Sequence, residues 1–197
     1  MQTPQPRPGA LAKAALRDQL VTARGRRSLA ELGAAARGIA DQVLAHEEVR
    51  RAATVAAYVG LGTEPGTGPL LAALRDAGKR VLLPVLLPGN DLDWAAYSGD
   101  EGLAPARFGL LEPTGPRLGV DAIATPDVVL VPGLAVDPAG FRLGRGGGSY
   151  DRALARVPVG TFTCVLLYDD EVGRDVPVEP HDLPVSAAVS PSGLRRF

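Results

Sequence analysis

Thirteen residues concentrate most of the chemistry that this sequence can offer: Gly140-Phe-Arg-Leu-Gly-Arg-Gly-Gly-Gly-Ser-Tyr-Asp-Arg152. They include five glycines (Gly140, Gly144, Gly146, Gly147, Gly148), three arginines (Arg142, Arg145, Arg152) and Asp151. Glycine lets a backbone come close to a ligand, and a guanidinium meets phosphate oxygens in a planar fork. An aspartate would repel a bare phosphate but suits a metal ion carried on one. The combination reads as a site for a metal–nucleotide. The alternative is a mobile surface loop that needs its glycines only to turn. The segment is not G-x-x-x-x-G-K-[ST], so it is no Walker loop. Gly144-x-Gly146-x-Gly148 does not continue into G-x-G-x-x-G, and no βαβ unit opens the chain, so the dinucleotide fingerprint fails on context.

Other candidates are scattered. Lys13 and Arg17 lie four apart and share a helix face. They could grip a phosphate chain or form a solvated basic stripe, and the spacing alone favours the stripe. Glu64 stands in Gly60-Leu-Gly-Thr-Glu-Pro-Gly-Thr67, where flanking glycines leave room for a ligand. It could bind an amino-pyrimidine edge, serve as acid or base, or be an exposed turn residue. Asp151 and Asp182 are hard oxygen donors suited to Mg²⁺. Asp151 could equally stabilise a helix start, and Asp182 could be a surface carboxylate. His181 reads as positional. Cys164, in the run Thr161-Phe-Thr-Cys-Val-Leu-Leu167, reads as a core thiol because no histidine lies near it. One cysteine and two histidines are too few for a structural zinc site.

Elements must bring these residues together. Helical patterns cover Leu11 to about Arg24 and a segment opened by the capping box Ser28-Leu-Ala-Glu31 and reaching His46 or beyond. A third runs from Leu70 to Ala77, with Thr67 as its cap and Gly78 at its end. Strand-like runs are Thr54–Val59, Val81–Leu87 (with Pro84 suggesting a break or edge), Leu92–Tyr97, Val128–Val131, Phe162–Leu167 and Val185–Val189. The glycine-arginine segment sits between an apolar strand and a helix opening at Tyr150-Asp-Arg-Ala-Leu-Ala-Arg156, an arrangement that aims backbone N–H groups at an anion. Interleaved strands and helices predict an α/β fold: a single three-layer domain over 11–197, with a mostly parallel or mixed sheet flanked by helices. Ligands gather at the carboxyl ends of strands in such sheets. The loops after Val59, Val131 and Leu167 would then share one crevice.

Composition narrows the classes. The 197 residues are 46% apolar and 22% charged, a globular balance for one domain. A formal net charge of −1 supplies no field for nucleic acid or an anionic membrane. No run approaches eighteen apolar residues, so no membrane span is expected. The proline-rich start, residues 1–10, lacks an apolar signal core and reads as a disordered tail. A single cysteine suits the reducing cytoplasm.

Val131-Pro-Gly-Leu-Ala-Val-Asp137, followed by the glycine-arginine segment, resembles the signature of the 5-formyltetrahydrofolate cyclo-ligase (methenyltetrahydrofolate synthetase) family. Further elements follow in the family's order: Lys13-Ala-Ala-Leu-Arg17, Glu64-Pro-Gly-Thr67, Phe108-Gly-Leu-Leu-Glu-Pro113 and His181-Asp182. The resemblance implies an ATP- and Mg²⁺-dependent closure of 5-formyltetrahydrofolate to 5,10-methenyltetrahydrofolate, with ADP and phosphate released. It assigns ATP to Lys13, Arg17 and the stretch Arg142, Leu143, Gly144, Arg145, Gly146, Gly147, Gly148, Ser149 and Tyr150. It assigns folate to Val59, Glu64 and the Arg145–Ser149 stretch, Mg²⁺ to Asp151 and Asp182, and the reacting phosphate to Arg145.

Two departures stand out. Ser149 replaces a tyrosine that many members carry, and Gly147 replaces a lysine found in some. Ser149 is expected to cap the following helix, with Trp94 or Tyr97 restoring the missing aromatic wall. The partners implied are small molecules only, acting on a monomer. The alternative is a non-catalytic folate- or nucleotide-binding relative, which would be expected to have lost one of Glu64, Arg145, Asp151 and Asp182; all are present.

Overall fold

A computed structural model describes residues 8–180 and 182–197. The chain opens with α1 (Pro8–Arg24), α2 (Leu29–Ala45) and the short α3 (Glu47–Arg51). Strand β1 (Thr54–Ala56), α4 (Gly68–Asp76), β2 (Arg80–Leu86) and β3 (Leu92–Ala96) follow. A hairpin of β4 (Leu103–Pro105) and β5 (Leu111–Pro113) precedes β6 (Val128–Pro132). A second hairpin, β7 (Ala135–Val136) with β8 (Arg142–Leu143), leads through the glycine-arginine loop into α5 (Ser149–Leu154). The chain ends with β9 (Phe162–Leu166), β10 (Ala187–Ser190) and β11 (Gly193–Arg196).

The main sheet has the order β11-β10-β9-β6-β1-β2-β3. Its middle strands, from β10 to β2, pair in parallel; β11 and β3 close the edges antiparallel. This is the mixed, mostly parallel sheet expected from the sequence. β6 and β9 are buried almost along their whole length, which is why they read as near-continuous apolar runs rather than alternating ones.

Two cores result. Ile39 and Val43 of α2 and Leu70, Leu71 and Leu74 of α4 pack on one face, against Val55, Leu130 and Cys164. Ala153 and Leu154 of α5 and Ile123 pack on the other, against Val129, Val131 and Val165. A smaller cluster joins Leu20 of α1 to Leu134, Leu143 and Val176, seating α1 over the β7–β8 hairpin. The capping box is formed: Ser28 Oγ accepts from Glu31 N at 3.3 Å, and Glu31 Oε2 accepts from Ser28 N at 2.7 Å.

Several boundaries differ from the sequence reading. Helix α1 begins at Pro8, so residues 8–10 of the expected tail are helical; residues 1–7 lie outside the described residues. β1 stops at Ala56, three residues short, because the chain bends into the turn that holds Glu64. β2 runs straight through Pro84. Even-numbered residues of β2 face β1 (Arg80 N donates to Ala53 O, Leu82 O accepts from Ala57 N). β1 has already ended by that level, so the N–H that proline lacks has no partner to lose.

Cys164 is fully buried, and burial pushes its thiol pKa up. The folded protein is therefore expected to resist thiol-modifying reagents at pH 8, reacting only as it unfolds. Stoichiometric labelling of the native protein within minutes would contradict this burial.

Candidate active site

The sheet changes direction between β1 and β6. From β1 the chain moves to β2 on one side; β6, on the other side, leads on to β9. The connections leaving β1 and β6 therefore diverge and leave a crevice, the position where open α/β sheets bind ligands. A cleft of about 630 Å³ occupies it. Val59, Glu64, Lys13, Arg17, all nine residues from Arg142 to Tyr150, Asp151 and Asp182 line this cleft.

The turn after β1 is built by its own side chains. Glu64 Oε2 accepts from Leu61 N at 2.9 Å, and Glu64 N donates to Leu61 O at 3.0 Å. Thr67 does not cap α4 with its side chain as expected. Its hydroxyl instead donates to Tyr58 O at 2.7 Å and accepts from Gly60 N at 3.0 Å, closing the turn. In the loop after β8, Gly146 and Gly148 have φ of +98° and +70°, values that a side chain would strain. Helix α5 is only six residues long, so the cationic side chains supply more of the positive charge here than its dipole does.

Lys13, Arg17, Leu20 and Arg24 form one stripe along α1, and Lys13 and Arg24 are buried rather than solvated. Lys13 Nζ donates to Asp182 at 2.6 Å and to Glu179 at 2.9 Å. Burial works against its ammonium, but the bonds to Asp182 and Glu179 outweigh this and raise its pKa. Arg17 Nε donates to Gly144 O at 2.8 Å. Arg142 donates to Asp151 at 2.8 Å, with its side chain 3% exposed. Burial lowers the Arg142 pKa, and Asp151 opposes the shift. Across the cleft, Arg145 Nε donates to Glu64 Oε1 at 2.9 Å.

Three of the four cations lining the cleft are thus already held by carboxylates. Four cationic and five carboxylate side chains line it among the described residues. A bare polyphosphate would gain little net attraction here. One that arrives with a divalent cation would exchange partners: its oxygens replace carboxylates on the cations, and the carboxylates turn to the metal.

The donor set fits such an ion. Among the described residues no group of three or more His, Cys, Asp or Glu side chains could hold a metal by protein alone. Asp151 and Asp182 are hard oxygen donors in the same cleft, and one or two carboxylates plus phosphate oxygens are what Mg²⁺ takes.

Two expectations about the aromatic wall fail. Ser149 is the first residue of α5, not its cap; Gly148, in left-handed conformation, holds that position with no side-chain cap. Trp94 and Tyr97 do not line the cleft: Trp94 of β3 is buried in the core, and Tyr97, just past β3, is buried with its hydroxyl donating to Asp100 at 2.6 Å. Phe108 lines it instead, 69% exposed between β4 and β5 with φ of +60°, together with Tyr58 and Tyr150. Burial and the nearby Glu64 carboxylate raise the phenol pKa of both tyrosines, so they remain protonated donors at working pH.

Glu179, Tyr58, Phe108 and Glu112 are among the cleft residues to which the sequence reading gave no role, although Phe108 and Glu112 lie in a quoted motif. Glu179 stands three residues before Asp182, a spacing that could have flagged it. His181 lies outside the described residues.

Fold and cleft together define an α/β protein whose switch point holds a cleft lined by interleaved cations and carboxylates. Comparison with known proteins narrows this. The model of the 5-formyltetrahydrofolate cyclo-ligase family matches residues 10–191, and the chain belongs to that family. It is 43% identical over 145 residues to the 5-formyltetrahydrofolate cyclo-ligase of Mycolicibacterium smegmatis, covering 70% of this chain and 73% of the relative. It is 35% identical over 161 residues to that of Escherichia coli K12, covering 78% and 86%. The solved 5,10-methenyltetrahydrofolate synthetase of Aquifex aeolicus superposes with a TM-score of 0.80 at 28% identity, covering 93% of this chain and 92% of that one. The Mycoplasma pneumoniae 5,10-methenyltetrahydrofolate synthetase shares the fold, with a TM-score of 0.72 at 18% identity over 91% and 98%. No helix among the described residues is long and apolar enough to cross a membrane.

Proposed function

We propose that this protein is an ATP-dependent 5-formyltetrahydrofolate cyclo-ligase that forms 5,10-methenyltetrahydrofolate, ADP and phosphate. The observation that carries the reading is convergence. Residues separated by up to 169 positions in sequence, Lys13 to Asp182, meet in one cleft with cations and carboxylates interleaved. Family membership supplies the substrate.

In the reaction the formyl oxygen of the folate takes the terminal phosphoryl group, and its bond to ADP breaks. The second folate nitrogen then attacks the activated carbon, loses its proton, and the C–O bond breaks to release phosphate. Such a transfer needs positioning and charge neutralisation more than a protein nucleophile. Lys13 and Arg17 bind the polyphosphate from α1, with Arg17 resting on the glycine loop at Gly144 O. Arg145 leaves Glu64 and neutralises the transferring phosphoryl group. Glu64, thus freed, and Val59 meet the folate. Asp151 and Asp182 would hold Mg²⁺, which would supply charge neutralisation on the phosphate oxygens. All of the residues assigned here belong to the cleft of one chain, which supports a monomer, and the reading carries a cytoplasmic location with it.

The test is direct. Protein, ATP, Mg²⁺ and 5-formyltetrahydrofolate are mixed, and methenyltetrahydrofolate is followed by its absorbance. Product should appear only when all components are present. Binding of both ligands without product would show a non-catalytic relative.

A further inference from the structure

Beside the cleft lies a second polar cluster, Arg24, Glu171 and Tyr168, whose side chains do not line it. Arg24 and Glu171 form an ion pair at 2.7 and 2.8 Å, with side chains only 1% and 2% exposed. Burying two charges is costly, and such pairs often add little stability over apolar residues. What this pair touches is more informative. Arg24 Nη2 also donates to Gly133 O at 2.6 Å, at the point where the chain leaves β6 towards the glycine-arginine loop. Glu171 Oε2 also accepts from Tyr168 N at 3.0 Å. Tyr168, itself 3% exposed, lies under Arg27 at 4.0 Å and beside Arg24 at 5.4 Å from its ring centre. Its hydroxyl donates to Thr63 O at 3.1 Å. Thr63 is the neighbour of Glu64.

One continuous chain of contacts therefore runs from α1 to the segment after β6, to the end of β9, and on to the turn that carries Glu64. The same helix carries Lys13 and Arg17 on the same stripe as Arg24. We infer that Tyr168 is a positioning residue: clamped by the Arg24–Glu171 pair, it ties the Thr63–Glu64 turn in register with the glycine-arginine loop. Among the described residues the turn's other side-chain hydrogen bonds are local, Glu64 to Leu61 and Thr67 to Tyr58 and Gly60, apart from the exposed Arg145 contact that the reaction must break. This brace would hold Glu64 in place for the folate after Arg145 has left it. The inference rests on the cyclo-ligase reading for the identity of that ligand, not for the brace itself.

Tyr168→Phe tests it, removing one oxygen and keeping the ring between its arginines. KM for 5-formyltetrahydrofolate should rise about fivefold, the value of one neutral hydrogen bond, while KM for ATP stays within about twofold. A role in overall stability alone would move neither or both. Amide exchange at Leu61 and Glu64 should also quicken by about fivefold, with the α5 amides unchanged. Unaltered exchange in the turn overturns the brace whether or not the protein turns over folate. Faster exchange with an unchanged folate KM, or an ATP KM that rises equally, overturns the positioning role. Absence of methenyl product from the wild type would instead remove the cyclo-ligase reading, so the two failures are distinguishable.

Discussion

Replacing Arg145 by methionine is expected to lower kcat by about a hundredfold or more, the range for removing a group that stabilises charge in the transition state. The guanidinium is half exposed and, among the described residues, bound by one ion pair, to Glu64, so it can leave that partner at small cost. Methionine keeps the length and loses the charge. Binding of ATP should weaken much less, because Lys13 and Arg17 approach the cleft from α1 independently. Steady-state kinetics in each substrate would check this. A normal kcat with only a raised KM would mean that Arg145 binds ground-state ATP and contributes nothing specific to phosphoryl transfer. Arg145→Lys separates charge from geometry, since an ammonium neutralises charge but cannot form the planar fork.

Asp151 is expected to give two different results with two substitutions. Asp151→Ala leaves the Arg142 guanidinium buried without its partner, as the remaining Arg142 Nε already is among the described residues. This should cost about 2 kcal/mol, less than for a fully buried pair because the carboxylate is 28% exposed. The melting temperature should then fall by about 4–8 °C. Loss of activity in that variant alone would say little about the metal. Asp151→Asn keeps an oxygen for Arg142 and removes only the anionic ligand. It should melt near the wild type yet need at least about tenfold more Mg²⁺ for half-maximal turnover. An unchanged Mg²⁺ titration in Asp151→Asn would assign Asp151 to holding Arg142 and nothing else.

Much of this protein was legible from local patterns. Period and turn chemistry placed α2 with its capping box, the buried strands β6 and β9, and the glycine-arginine loop between a strand and a helix. The order of motifs along the chain pointed to the family, because backbone-lined phosphate sites demand glycines and arginines at particular places. Where the reading failed, longer-range packing had decided. Ser149 looked like a cap, but the left-handed turn at Gly148 takes that position. Trp94 looked available to a ligand, but pairing with β2 turns it into the core. Phe108 reaches the cleft through a hairpin that no local signal announced.

The clearest division lies on α1. Sequence determined that Lys13 and Arg17 share a face, because an α-helix repeats every 3.6 residues; the structure adds Arg24 to it. Sequence could not determine whether that face meets water or the interior, since a basic stripe has the same spacing in either case. The tertiary structure decided it by presenting Asp182, Glu179, Gly144 O, Gly133 O and Glu171 to that face. All of these lie more than 100 positions away in sequence, and a buried cation is tolerable only where such partners await it.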